Sequence, residues 1–481
     1  MISLKLQQLA SVLGIEVLAA TKEQSDLKFK GVTIDSRSNC SGQLFIAIKG
    51  ERFDGHDYVE SAFKNGAVAA LVEKKHNCDI PQLIVSDSKQ SMATLANFWR
   101  HNCQATVIAL TGSNGKTTVK EMLYQILKKQ ALTHATKGNF NNDIGVPLTL
   151  FDVSVKARFV IVEMGANHTG EIANLARMAE PDVVYVNNVA AAHLAGFKSI
   201  QGVIDAKGEL YDYCQPNHRA VFNIDEAASQ QWQATCVAKN TISCGLNTPA
   251  NVQAQWKPTD EGISLSIKYK EQAYQVEIPV FGEHNVRNAL AAITIAVIAG
   301  IEFKKAVLNL AGFESVKGRL QMLQGPNNSR LIDDSYNANP GSLEAGVKVL
   351  CGLKGEPWLA LGDMGELGSD AELLHKEAAE VAKKLGVKKL FGIGPMSCAA
   401  SETFGDSGYC FDTVEESARV IQSLTHPEVN LLIKGSRSAG MDRLVKALAT
   451  VEKKLKENNS LGMNPDKCKV NHKKQGAKSA L

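Results

Sequence analysis

A lysine, three threonines and two glycines stand in the run Leu110-Thr111-Gly112-Ser113-Asn114-Gly115-Lys116-Thr117-Thr118, a spacing able to cradle a phosphate. A glycine-rich turn between a strand and a helix aims backbone N–H groups and the positive end of the helix dipole at an anion. Lys116 adds charge there, and Thr117 offers a hydroxyl to Mg²⁺. The apolar stretch Val107-Ile108-Ala109-Leu110 supplies the strand. Val119, Met122, Leu123, Ile126 and Leu127 recur at three- and four-residue steps and supply the helix. The run departs from a strict Walker A pattern because Leu110 stands where glycine is wanted. An incidental lysine in a glycine-rich turn would require neither flanking element.

Further polar residues fall at the ends of apolar runs. Glu163 closes Phe159-Val160-Ile161-Val162, a position where ligands bind in open α/β sheets, and a carboxylate there suits Mg²⁺ that bridges phosphates. The alternative is a glutamate facing water at a strand end. His193 follows Val183 to Val186 and the run Ala190-Ala191-Ala192, where position alone does not separate a ligand from a core or surface histidine. Lys207 sits at the centre of the helical stripe Ile200, Val203, Ile204, Leu210, Tyr211 and Cys214. A lysine there either snorkels its head to water or is held neutral by burial, and a neutral amine can react with CO₂ to give an anionic carbamate able to ligate a metal. In Gly282 to Ala292, Asn285 is expected as a helix N-cap, and Asn288 carries both a donor and an acceptor that suit a purine edge or a cap.

Arg319 precedes a strand that runs into Asp333-Asp334-Ser335-Tyr336-Asn337-Ala338-Asn339-Pro340-Gly341, which is more polar than a packed turn needs. Leu361 to Gly368 and Lys434 to Met441 follow two further short strands. All three loops are expected on one edge of one sheet.

Positioning these groups takes several sheets. A chain of 481 residues is long enough for about three domains. Residues 1–84 mix short strands and helices, including Gly31 to Arg37 and Gln43 to Ile48. Residues 85–313 alternate strands and helices around the phosphate loop, as a largely parallel sheet does, and residues 314–456 repeat that alternation on a smaller scale. Residues 457–481 hold five lysines against Glu457 and Asp466, so they account for the chain's net charge of +3 and read as a disordered basic tail. A nearly neutral body argues against a nucleic-acid footprint. Ten scattered cysteines without a CxxC pair suggest reduced thiols in a cytosol. The N-terminus lacks the apolar core of a signal peptide, and no apolar run reaches bilayer length, so a cytoplasmic protein without membrane insertion is expected.

Together these motifs resemble the Mur ligase family, the ATP-dependent amide-forming enzymes of peptidoglycan precursor synthesis. The resemblance rests on Thr111 to Thr118, Glu163-Met164-Gly165, His193-Leu194, Ala206-Lys207-Gly208-Glu209, His284-Asn285 with Asn288, and Asp334. It covers nearly the whole chain before the tail. Gly138 to Pro147, Asp334 to Pro340 and Lys434 to Arg437 are most similar to the member that joins D-alanyl-D-alanine to UDP-N-acetylmuramoyl-tripeptide. The resemblance implies an α/β protein of three domains: an N-terminal mixed α/β domain for the uridine nucleotide, a central parallel-sheet P-loop ATPase domain, and a C-terminal Rossmann-like domain for the incoming amine. It further implies an acyl-phosphate intermediate, ATP and two Mg²⁺ ions, and a monomer.

By position, Thr111, Gly112, Ser113, Asn114, Gly115, Lys116, Thr117 and Thr118 would hold the phosphates of ATP. Asn288 would meet the adenine, Arg319 the phosphates and Asp334 the ribose, with Tyr336 and Asn337 beside the nucleotide. Thr117 and Glu163 would bind one Mg²⁺, and His193 with carbamylated Lys207 the other. Ser36 and Arg37 would contact the uridine moiety, with Asn142 nearer the peptide or sugar. Ala195-Gly196-Phe197 follows His193-Leu194 where a glutamate is commoner in the family, a departure that leaves the assigned ligands in place. A sibling ligase adding L-lysine or diaminopimelate, a folylpolyglutamate-type ligase and a non-catalytic nucleotide-binding scaffold are the competing readings.

Overall fold

The structure is a computed structural model, and it describes residues 1–19, 21–190 and 194–449. The expected tail therefore lies outside the described residues, as does His193.

The central sheet has nine strands in the order Gln272–Ile278, Gly262–Tyr269, Val252–Thr259, Asn240–Gly245, Arg219–Asn223, Val183–Val186, Thr106–Thr111, Phe159–Glu163, Thr133–Ala135. From Thr133–Ala135 through Val252–Thr259 every neighbouring pair is parallel. The chain reverses its direction of travel across the sheet at Thr106–Thr111, which creates a topological switch point at the carboxyl end of that strand. Successive side chains of a strand point to opposite faces. Val107 and Ala109 accordingly join the core on one face, and Ile108 and Leu110 the core on the other. The second face is covered by the helices Lys116–Lys128 and Glu283–Ile298.

The expectation of a largely parallel sheet holds for that part. Beyond it, Val252–Thr259, Gly262–Tyr269 and Gln272–Ile278 form an antiparallel extension that the strand–helix alternation does not predict.

An N-terminal five-stranded sheet, Val17–Leu18, Gln82–Ile84, Ala69–Val72, Leu44–Ile46 and Val32–Thr33, is parallel apart from its first strand. Its apolar face is continuous with the central core. Ile2, Leu44, Leu71 and Leu95 belong to one cluster with Val107, Val160 and Val184. Main-chain bonds from Met1 to Val153 (2.8 Å) and from Ile2 to Phe151 (2.6 Å) reinforce this seam.

The third sheet runs Gln321–Gln324, Arg330–Asp334, Val429–Lys434, Glu356–Gly362, Lys389–Ile393, Gly408–Phe411. Only the first strand is antiparallel to its neighbour. Its two faces carry separate apolar clusters, one around Leu359, Leu361 and Leu432, the other around Trp358, Phe391 and Ile433. The strands ending at Asp334, Lys434 and Gly362 are parallel neighbours, so their three polar loops open on one edge as expected.

Two local expectations are corrected. Gly282, with φ of +87°, caps the helix Glu283–Ile298, and Asn285 lies inside the helix with its amide donating to the Phe281 carbonyl at 2.9 Å. Not all thiols are free: Cys398 and Cys410 form a disulfide between the helix Pro395–Phe404 and the strand Gly408–Phe411. A strand that folds back along the helix leading into it sets the two cysteines side by side, which spacing along the chain does not reveal.

Candidate active site

The phosphate loop leaves the strand Thr106–Thr111 and enters the helix Lys116–Lys128 at the switch point. Two glycines are required by close approach. A Cβ on Gly112 would come within 3.0 Å of the Asn187 side chain, and one on Gly115, whose φ is +76°, within 2.6 Å of both Asn187 and Asn288. The loop is pinned from the side by Asn188, which accepts from the Asn114 N–H at 2.8 Å and donates to the Asn114 carbonyl at 3.1 Å. Asn187 donates to the same carbonyl at 2.8 Å. Ser113 exchanges bonds with Ala190, and Thr111 Oγ1 donates to the Met164 carbonyl at 2.8 Å. Thr118 is buried in the first helical turn.

Lys116 folds back over the loop, donating to the carbonyls of Gly112 (2.6 Å) and Ser113 (3.2 Å). Burial lowers the affinity of its amine for a proton, the Glu163 carboxylate opposes that, and Arg319 adds to it. Thr117 Oγ1 donates to Glu163 Oε2 at 2.9 Å, and Asn141 Nδ2 donates to Oε1 at 2.9 Å. Glu163 is thus aimed at the phosphate loop rather than at water. Lys120, fully buried one turn beyond Lys116, lies 3.9 Å from Glu163 Oε2 and donates to the Thr136 carbonyl at 2.7 Å.

Lys207 is 2% exposed on the helix Ile200–Asp212, among the buried residues Val203, Ala206, Leu210 and Tyr211. The expected apolar stripe is present, although Ile200 at its start is 44% exposed. Its ammonium faces the Phe197 ring at 5.4 Å. Desolvation, and then the charge of Lys116, bring its pKa from 10.5 down to about 7, against the pull of Glu171 and Glu209.

Across a cleft of about 530 Å³ stand residues of the third sheet. Arg319 donates through Nη2 to Thr117 Oγ1 at 2.9 Å, and its guanidinium lies 4.3 Å from the centre of the Tyr336 ring. Asp334 pairs with the buried Lys434 at 2.5 Å, and Lys434 also donates to the Asn337 carbonyl at 3.0 Å. Asn288 lines the cleft but is engaged on both sides, accepting from Asn187 at 3.0 Å and donating to Asn285 at 3.1 Å. Asn114, Gly115, Thr118, Arg319, Asp334, Tyr336 and Asn337 all border the same space.

Thr111, Gly112, Ser113, Lys116, Thr117, Glu163 and Lys207 do not border that space themselves, and neither do Ser36, Arg37 and Asn142. Ser36 is buried, its carbonyl bonded by Asn65, and the exposed Arg37 is clamped by both oxygens of Asp35 in the N-terminal unit. Asn142 Oδ1 accepts from the Gly145 N–H at 2.9 Å, which fixes the turn into the helix Gly145–Phe151. His193 lies outside the described residues.

Sequence reasoning missed several residues of the cleft. Asn187 and Asn188 follow the strand Val183–Val186 directly, so the rule that located Glu163 would have found them. Asp225, just past Arg219–Asn223, accepts from the N–H groups of Leu246, Asn247 and Thr248 and pairs with Arg287 at 2.5 Å. Lys434 and Asn339 stand out in the sequence only as parts of longer motifs.

The residues fit a nucleotide and a divalent cation. Asn114, Gly115 and Thr118 border the cleft at the start of a helix, where an anion is favoured, and the carboxylate and hydroxyl of Glu163 and Thr117 are the hard oxygen donors that Mg²⁺ prefers. Among the described residues no three His, Cys, Asp or Glu side chains converge as a metal cluster, so a cation here would complete its shell with phosphate and water oxygens.

Known proteins match the chain over nearly its whole described length. Family models for the Mur ligase family catalytic domain, the Mur ligase middle domain and the Mur ligase glutamate ligase domain match residues 28–102, 110–296 and 318–437. The UDP-N-acetylmuramoyl-tripeptide–D-alanyl-D-alanine ligase of Escherichia coli (strain K12) is 38% identical over 455 residues, 93% of this chain and 99% of that protein. The crystal structure of MurF from Acinetobacter baumannii superposes with a TM-score of 0.85 at 32% identity, covering 93% of this chain and 98% of that one. MurF from Thermotoga maritima, in complex with ADP, does so with a TM-score of 0.76 at 25% identity, covering 87% and 96%. The chain belongs to the Mur ligase family.

Proposed function

We propose that this chain is an ATP-dependent, ADP-forming ligase that joins D-alanyl-D-alanine to UDP-N-acetylmuramoyl-tripeptide in peptidoglycan precursor synthesis. The observation that carries this reading is full-length similarity to proteins of that name, on a chain whose phosphate loop faces a second polar strand edge across one cleft.

A carboxylate is a poor electrophile at neutral pH, and phosphorylation gives it a leaving group. The tripeptide carboxylate takes the γ-phosphoryl group of ATP to give an acyl phosphate and ADP. The donor amine then attacks the acyl carbon, inorganic phosphate leaves, and the amine loses a proton. Bringing two anions together requires positive charge at the point of contact. Lys116, held over the loop, and Arg319, held against Thr117, supply it from opposite walls. The N–H groups of residues 112–118 receive the phosphates, Asn288 faces the base, Asp334 the ribose, and Tyr336 and Asn337 flank the nucleotide. Thr117 and Glu163 would hold one Mg²⁺, and a carbamate on Lys207 together with His193 the second. The ions would neutralise phosphate charge and polarise the attacked carbonyl.

Residues 1–84 would take the uridine nucleotide, with Ser36 and Arg37 nearest it and Asn142 toward the peptide or sugar. Residues 85–313 would form the ATPase unit and residues 314–456 the unit for the amine. A monomer would be the working unit. The consumption of ATP and of a nucleotide-linked precursor supports a cytoplasmic location, and no helix among the described residues is long and apolar enough to cross a membrane.

The test is ADP release with UDP-N-acetylmuramoyl-tripeptide, comparing D-alanyl-D-alanine with single amino acids. A product heavier by the dipeptide less water is expected. Turnover with glutamate, lysine or diaminopimelate alone would transfer the chain to a sibling activity, and no turnover would leave a nucleotide-binding scaffold.

A further inference from the structure

Two side-chain hydrogen bonds join the third sheet's side of the cleft to the phosphate loop and its helix: Arg319 to Thr117, and Asn339 Nδ2 to Asn114 Oδ1 at 2.9 Å. The second involves a residue with no role in the chemistry above. Asn339 is the N-cap of the helix Pro340–Gly352. Its Oδ1 accepts from the Ser342 N–H at 2.8 Å, while Ser342 Oγ accepts from the Asn339 N–H at 3.0 Å. One end of the amide therefore closes its own helix, and the other reaches the central sheet. Asn114 is divided in a complementary way, its backbone held by Asn187 and Asn188 and its side-chain oxygen turned to the third sheet.

We infer that Asn339 is a positioning residue, a latch that docks the third sheet onto the phosphate loop through Asn114. The inference rests on the nucleotide cleft proposed above. A capping box fixes the Asn339 rotamer, so the amide is held ready and little side-chain freedom is lost when the two units meet. The same helix begins directly after the loop carrying Asp334, Tyr336 and Asn337. Docking Asn339 therefore sets the ribose-side residues and the phosphate-side residues in register. Coupling of this kind is reciprocal: nucleotide binding favours docking by the factor by which docking favours nucleotide binding.

The test separates latch from cap. In Asn339→Ser the hydroxyl still caps the helix, since serine ranks with asparagine there, but it is too short to serve Asn114 as well. Asn114→Ala removes the other half and leaves the backbone bonds of the loop intact. Mg²⁺–ADP affinity is measured by calorimetric titration of the full chain, with kcat and KM for ligation in parallel. Each single variant is expected to bind about fivefold more weakly, the worth of one neutral hydrogen bond, and the double variant no more weakly than either. Asn339→Ala should in addition lower Tm, which Asn339→Ser should not. Losses that multiply to about 25-fold in the double variant, or wild-type affinity in Asn339→Ser, overturn the latch. An enzyme that makes product while its cycle is additive refutes only the latch, whereas a wild-type chain that makes none refutes the ligase reading.

Discussion

Lys207 permits a quantitative prediction, because only a neutral amine adds to CO₂. With its pKa at about 7, roughly three quarters of the Lys207 side chains are neutral at pH 7.5, against about one in a thousand for a lysine at 10.5. Burial therefore raises the reactive fraction by nearly three orders of magnitude before any metal is bound. The amine nitrogen forms a bond to the carbon of CO₂ and releases one proton, leaving a carbamate anion. Ligation by enzyme stripped of CO₂ should fall and return with added bicarbonate, and the return should strengthen as pH rises through about 7. Carbon-13 NMR with labelled bicarbonate should show one carbamate signal on the wild-type chain at pH 7.5 to 8, and none on Lys207→Ala. That variant should lose ligation and regain part of it with short-chain carboxylates, which can occupy the vacated volume and supply the missing anion. Full activity of Lys207→Ala, or a wild-type chain that is indifferent to CO₂ and shows no carbamate signal, would refute the reasoning.

Three further outcomes are expected. Lys116→Met should leave the loop folded, since its glycines and the Asn187 and Asn188 contacts remain, yet lower kcat by about 100-fold or more through the lost charge at the phosphates; steady-state ADP release checks this. Tyr211→Phe removes a hydroxyl that donates to the Val221 carbonyl at 2.6 Å and accepts from the Val186 N–H at 3.1 Å, leaving both buried groups without it, and should cost about 2 kcal/mol or more in urea unfolding followed by circular dichroism. Reduction of Cys398–Cys410 opens a short loop with a sequence separation of 12, worth about 3 kcal/mol on a chain-entropy account. Thermal unfolding should therefore shift down with dithiothreitol in the wild type and not in Cys398→Ser.

Much of the site was legible because it obeys local rules. The phosphate loop sits between a strand and a helix whose periodicities are plain, Glu163 ends an apolar run, and Lys207 interrupts a helical stripe that the structure does bury. The asparagines were less visible. Asn187, Asn188 and Asn339 look like ordinary loop residues until a partner 73 to 225 positions away is brought to them. The cap of the helix Glu283–Ile298 was misplaced because asparagine is the commoner cap, and here a glycine with positive φ takes the position while Asn285 turns back to Phe281. Neither the antiparallel extension nor the disulfide follows from periodicity, since both depend on which strands become neighbours.

The seam between the N-terminal and central sheets has a mechanical consequence. Ile2, Leu44 and Leu71 share one apolar cluster with Val107, Phe151 and Leu175, and Met1 and Ile2 donate across the same seam to the carbonyls of Val153 and Phe151. The third sheet has its own two clusters, with Phe281 of the central unit packed against one of them, and otherwise meets the rest across the cleft. Shearing the first joint would expose a large shared core to water, whereas opening the second would expose Phe281 and exchange hydrogen bonds for hydration. The joint across the cleft is the softer of the two. On the proposed assignment the uridine nucleotide and the phosphates of ATP would sit on the joined sheets, and the amine, with the ribose-side residues Asp334, Tyr336 and Asn337, across the softer joint.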